Sequence, residues 1–89
     1  MKKIKVEKIS EEELKSKGIL SWPIWEKEES RFDWHYDSAE TCYILEGKAA
    51  VFPDSGEGVE FGPGDLVVFP EGLDCVWIIK EKIKKHYNF

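Results

Sequence analysis

Among the 89 residues of this chain, few combine a reactive side chain with a setting that gives it work. Glu40 opens Thr41-Cys42-Tyr43-Ile44-Leu45, a segment apolar on both faces, and a carboxylate there needs either a partner or a task. Side chains two apart in a strand share a face, so Cys42 and Ile44 lie with Glu40, and Cys75 lies with Trp77. A carboxylate set among aromatics favours its neutral form and can act as a general acid or base; a thiol becomes a nucleophile when a nearby cation lowers its pKa. Glu40, Cys75 and Cys42 are therefore the candidate catalytic residues, with Lys85 and His86 as the candidate cations. The commonest fate of a free cysteine is a small buried filler, and that reading stands beside the chemical one for both thiols. His35, between Trp34 and Tyr36, reads either as a ligand contact or as a packing or surface residue.

The elements that must position these groups are short. Lys3 to Ile9 alternates polar and apolar residues, as a strand with one covered face does. Ser10-Glu11-Glu12-Glu13 is a capping box that opens a short helix anchored by Leu14, and Gly18 ends it as a left-handed cap. Trp22-Pro23-Ile24-Trp25 places a proline where neither a helix interior nor a central strand tolerates one, which makes it an edge strand or a covering segment. Phe32 to Asp37 is an aromatic and acidic run ending in a turn at Asp37-Ser38-Ala39. Turn compositions then recur at Glu46-Gly47-Lys48, Pro53 to Gly58, Gly62 to Asp65 and Pro70-Glu71-Gly72, with a last lysine-rich strand running to Phe89. Many short strands separated by Gly and Pro indicate a sandwich or barrel, and there is no room for the crossover helices of a parallel sheet.

Composition narrows the classes further. With 42% hydrophobic and 35% charged residues the chain reads as one soluble globule. Net charge is -5, and residues 31–77 hold ten acids against Arg31 and Lys48, which excludes the basic face a nucleic-acid partner requires. No window approaches the ~18 apolar residues of a membrane span. Two cysteines are too few for a disulfide-stapled secreted scaffold, so a reducing cytoplasmic setting is expected. Four Trp, three Tyr and five Phe supply aromatic surface for both a core and a pocket wall, and Trp25, Trp34, Tyr36 and Trp77 are candidate ligand-binding residues together with His35 and Lys85.

Two stretches carry a family pattern. Glu40 to Gly47, a glutamate seven positions before a turn glycine, resembles the first cupin motif; Gly64 to Gly72, a glycine followed after five residues by Pro-x-Gly, resembles the second. Trp22 to Glu26, Phe32-Asp33-Trp34, Glu40 to Tyr43, Phe69 to Gly72 and Lys85-His86-Tyr87 are similar to the small single-domain cupins grouped with ureidoglycine aminohydrolase and the ethanolamine-utilisation cupins. The resemblance implies an all-β fold: a single double-stranded β-helix, or jelly-roll, barrel with one short N-terminal helix. It implies one cupin domain over residues 1–89, with strand and helix in 1–20 and the barrel in 21–89. It also implies that Glu40 points inward, taking Cys42 with it.

Metal-binding cupins place His-x-His and Glu on the first motif and another His on the second. Aligned on Glu40 and Gly47, the first two histidine positions fall on Asp33 and His35; aligned on Pro70 and Gly72, the third falls on Cys75. The implied set is Asp33, His35, Glu40 and Cys75, which suits a divalent metal such as Zn²⁺ better than Fe(II) oxygen chemistry. Three functions follow as expectations. The first is a small-molecule-binding cupin acting on a small polar nitrogen-containing or carboxylated metabolite. The second is an accessory cupin with a filled barrel that uses an aromatic edge at Trp22 to Trp25 to bind a partner or form a homodimer. The third is a metal-dependent enzyme with this degenerate ligand set.

Overall fold

A computed structural model describes residues 3–54 and 56–89; Met1, Lys2 and Ser55 of the expected Pro53 to Gly58 turn lie outside the described residues. The chain forms β1 (Lys5–Lys8), α1 (Glu11–Ser16), a 3-10 turn (Ile19–Ser21), β2 (Ile24–Lys27), β3 (Ser30–His35), β4 (Glu40–Pro53), β5 (Val59–Phe61), β6 (Asp65–Phe69) and β7 (Asp74–Asn88). Ser10 caps α1 by accepting a hydrogen bond from the Glu13 backbone N–H, and Gly18 sits at φ 66°, where a side chain would be strained. No helix among the described residues is long and apolar enough to cross a membrane.

All seven strands join one antiparallel sheet in the order β1-β6-β4-β7-β2, with β3 also pairing β7 and β5 pairing β4. The long pair β4 and β7 is the axis of the jelly roll. The first part of β4 lies between β6 and the end of β7, and its second part lies between β5 and the start of β7. One wall is closed by β2 on the end of β7 and by β3 on its start. Burial follows: Cys42, Ile44, Val51, Val67, Phe69, Trp77 and Ile83 form the centre of the main core, while Leu14, Ile19 and Leu66 make a second cluster under α1.

The turn expected at Glu46-Gly47-Lys48 does not form, since β4 runs straight through it, and the lysine-rich strand is continuous with Cys75 to Ile79 in β7. Gly47 is instead the pivot of an irregularity, with register shifts against β7 between Ile44 and Ala49. It adopts φ 91°, and a Cβ there would run into the carbonyl oxygen of Lys82. Core residues of β4 are even-numbered before it, at Cys42 and Ile44, and odd-numbered after it, at Ala49 and Val51, whereas the core residues of β7 are odd-numbered on both sides, at Cys75, Trp77, Ile79 and Ile83. A strand changes the face it buries only at such an irregularity.

The Trp22 to Trp25 segment also differs from its expected role as an exposed aromatic edge. Trp25 packs against the main core and Trp22 against the second cluster; the exposed apolar side chains of that edge are Leu20 and Ile24. Pairing Trp25 opposite Lys85 turns its ring inward.

Candidate functional site

Glu40 begins β4 opposite Phe69 of β6, and Lys85 of β7 lies opposite Ile44 of β4 on one side and Trp25 of β2 on the other. These registers send both side chains inward, where they meet. Lys85 Nζ donates to Glu40 Oε2 at 3.0 Å, and the two residues are only 4% and 3% exposed. Tyr36, just beyond β3, is pinned by its N–H donating to the Leu73 carbonyl and by its own carbonyl accepting from Gly72 N–H. Its ring stacks on Phe69 at 4.9 Å, and this aims its hydroxyl at Glu40 Oε1, to which it donates at 3.0 Å. Trp77 Nε1–H donates in turn to the Tyr36 oxygen at 3.2 Å.

The result is a buried chain of Trp77, Tyr36, Glu40 and Lys85 in which each carboxylate oxygen receives a donor. The Lys85 ammonium also lies 4.7 Å from the Trp77 ring centroid and 4.9 Å from that of Trp25, so two indole faces share its charge. Burial, followed by the negative charge of Glu40 and the hydrogen bond to it, pushes the Tyr36 phenol far above its ordinary range. Tyr36 therefore stays a proton donor to the carboxylate at all physiological pH values.

This chain forms the floor of a cavity of about 200 Å³ lined by Trp25, Phe32, Trp34, Tyr36, Glu40, Trp77, Lys85, Tyr87 and Phe89. Phe32 stacks parallel to Trp77 at 6.0 Å, and Trp25 meets Trp77 edge to face. At the rim, Trp34 and Phe89 are exposed by 48% and 63%. Of the residues read from the sequence, Glu40, Lys85, Trp25, Trp34, Tyr36 and Trp77 come together here. Phe32, Tyr87 and Phe89 were missed, although strand parity carries their signal: Phe32 stands two before Trp34, and Tyr87 and Phe89 stand two and four after Lys85.

The remaining candidates lie elsewhere. Cys42 is fully buried in the core, and burial pushes its thiol up to about 12 against a smaller lowering by Lys85. Burial, with the charges of Asp54, Asp74 and Glu40, pushes the Cys75 thiol up to about 11. Neither has the thiolate character a nucleophile needs, and the apolar-filler reading of both accords with this setting. His35 is exposed, donating through Nδ1 to Asp74 Oδ1 at 2.7 Å, and with Asp33 and Cys75 it borders a second depression that excludes Glu40.

The expected metal set is thereby divided. In β3 the even-numbered Phe32 and Trp34 line the cavity with Glu40, and the odd-numbered Asp33 and His35 take the opposite face. Among the described residues no group of three or more His, Cys, Asp or Glu side chains is placed to hold a metal ion. Both Glu40 oxygens are engaged, and the Lys85 ammonium stands on the carboxylate where a cation would bind. The residues present do not fit a bound metal in this arrangement.

A jelly-roll barrel of two long paired strands, with an aromatic cavity closing on an inward glutamate from the start of the first, defines a small cupin. The chain belongs to the EutQ-like cupin family, whose model matches residues 14–87. It is similar to a DUF861 family protein from Thermotoga maritima, with 52% identity over 98% of this chain and 99% of that one and a TM-score of 0.95. The EutQ protein of Clostridium difficile shares 19% identity with a TM-score of 0.66, over 97% of this chain and 66% of its own. A putative ethanolamine utilization protein Q from Salmonella typhimurium gives 17% and 0.65, over 94% and 66%. At these last two identities the likeness is one of fold. No curated protein gives a significant match.

Proposed function

We propose that this chain is a small-molecule-binding cupin whose ligand sits in the aromatic cavity above Glu40 and Lys85, and that the ligand is a small polar nitrogen-containing or carboxylated metabolite. The observation that carries the reading is the floor itself. An ion pair so deeply buried gains little net stability, because desolvation offsets most of its attraction, yet here it borders an open cavity of about 200 Å³ rather than a filled barrel. Drug-sized ligands occupy roughly 300 Å³ or more, so the cavity suits a smaller metabolite. Apolar walls with a few converging polar groups are what small-ligand sites use for orientation. In this reading Glu40 and Lys85 orient the ligand, Tyr36 holds the carboxylate in place, and Trp25, Trp34, Trp77 and Phe32 enclose it. Cys42, Cys75 and His35 take no part.

A thermal-shift screen of small metabolites tests the reading. A ligand at ~100 times its Kd stabilises by about 2.7 kcal/mol, which for a chain of this size raises Tm by roughly 10 °C. The shift is expected for wild type and is expected to vanish for the same ligand in Lys85→Met. No stabilising compound, or an equal shift in Lys85→Met, would overturn the assignment.

A further inference from the structure

Resting on the small-molecule reading above and narrowing it to its nitrogen-containing alternative, we infer that the cavity selects uncharged planar ligands bearing an N–H donor beside a C=O acceptor, the chemistry of a cyclic amide. Two features of the site carry this. The floor is already neutral, because the Glu40 carboxylate and the Lys85 ammonium compensate each other at 3.0 Å. Among the lining residues these are the two charged ones. A carboxylate ligand would bring a second negative charge to a floor that Glu40 already supplies with one, inside apolar walls where an uncompensated charge is costly. A cationic ligand would seek the indole faces, but Lys85 already lies over those of Trp25 and Trp77 and would repel it.

An uncharged donor–acceptor pair meets neither obstacle. An ammonium has three N–H donors, one of which goes to Glu40 Oε2, so Lys85 can also donate to a ligand carbonyl. Each Glu40 oxygen accepts one bond, from Tyr36 or from Lys85, and keeps acceptor capacity for a ligand N–H. Side-by-side acceptor and donor on the protein call for side-by-side donor and acceptor on the ligand. The rings of Phe32, Trp34 and Tyr87, which line the cavity, are the apolar surfaces against which a planar group packs.

Three probes of similar size and different charge separate the cases: 2-pyridone, benzoate and N-methylpyridinium. Binding is followed by chemical shifts of the Trp25 and Trp77 indole N–H signals in the intact chain. Wild type is expected to bind 2-pyridone about tenfold more tightly than either ion. Glu40→Gln leaves Lys85 uncompensated and is expected to reverse the order in favour of benzoate; Lys85→Met is expected to reverse it toward N-methylpyridinium. The double variant Glu40→Gln/Lys85→Met is neutral and nearly isosteric, and is expected to prefer neither ion while losing most of its affinity for 2-pyridone. Wild type favouring benzoate or N-methylpyridinium, or single variants that keep the wild-type order, would overturn the charge selection and leave the ligand site standing. If none of the three probes moves the indole signals, the charge selection falls, and the small-molecule reading is decided by the metabolite screen above.

Discussion

Tyr36 is the residue through which the aromatic wall and the ion pair communicate, since its hydroxyl accepts from Trp77 and donates to Glu40. Tyr36→Phe keeps the stacking on Phe69 while stripping Glu40 Oε1 of its donor and the Trp77 N–H of its acceptor. Leaving such buried groups unpaired costs about 1–3 kcal/mol. A lower urea midpoint with an unchanged m-value is therefore expected; a midpoint equal to wild type would show that water replaces the hydroxyl at no cost. Glu40 was recognisable from the sequence because a lone acid on an apolar strand must be answered by something. Lys85 and His86 were both candidate cations, but which of them turns inward was not legible, because Lys85 lies 45 positions away and only the pairing of β7 with β2 and β4 brings it to Glu40.

At the scale of elements, the irregularity at Gly47 governs which faces of β4 are buried. Gly47→Ala combines a left-handed φ with a clash against the Lys82 carbonyl, and is expected to destabilise by roughly 2 kcal/mol or more. For a domain of this size that lowers Tm by about 8 °C or more, measured by circular dichroism. Gly56→Ala is the matched control, since a Cβ at that position would meet nothing within 4 Å. An equal Tm for the two variants would remove Gly47 from this role. The glycine was visible in the sequence and was read as a turn, because Glu46-Gly47-Lys48 has turn composition; whether such a glycine reverses a strand or merely kinks it depends on what lies across from it. The same limit explains Asp33 and His35. Motif spacing places them beside Glu40, but the register of β3 on β7 gives the cavity to Phe32 and Trp34.

For the whole molecule, the buried titratable groups set an alkaline limit. Cys42, raised from an ordinary value near 9 to about 12, keeps its proton in the fold after the unfolded chain has lost it. Between those values the unfolded state binds fewer protons than the native one, so stability is full below pH ~9 and declines as pH rises toward ~12. Tyr36, raised as well, acts in the same direction above its ordinary value near 10. Urea midpoints are expected to fall steadily as pH is raised through this window, and to fall less steeply in Cys42→Ala. The same slope in both proteins would exclude a contribution from Cys42.

The sequence by itself determined an all-β class of short strands, the short capped helix, the glutamate that needed a partner and most of the aromatic wall, because turn glycines, strand alternation and capping are local rules that act over a few residues; that the glutamate points inward came from the resemblance to cupins. Tertiary structure alone decided that of the two candidate cations it is Lys85 that meets the glutamate, that both thiols are buried, and that Asp33 and His35 face away from Glu40. Each of those outcomes depends on strand register, a non-local property in which a shift of one residue exchanges the inner face for the outer.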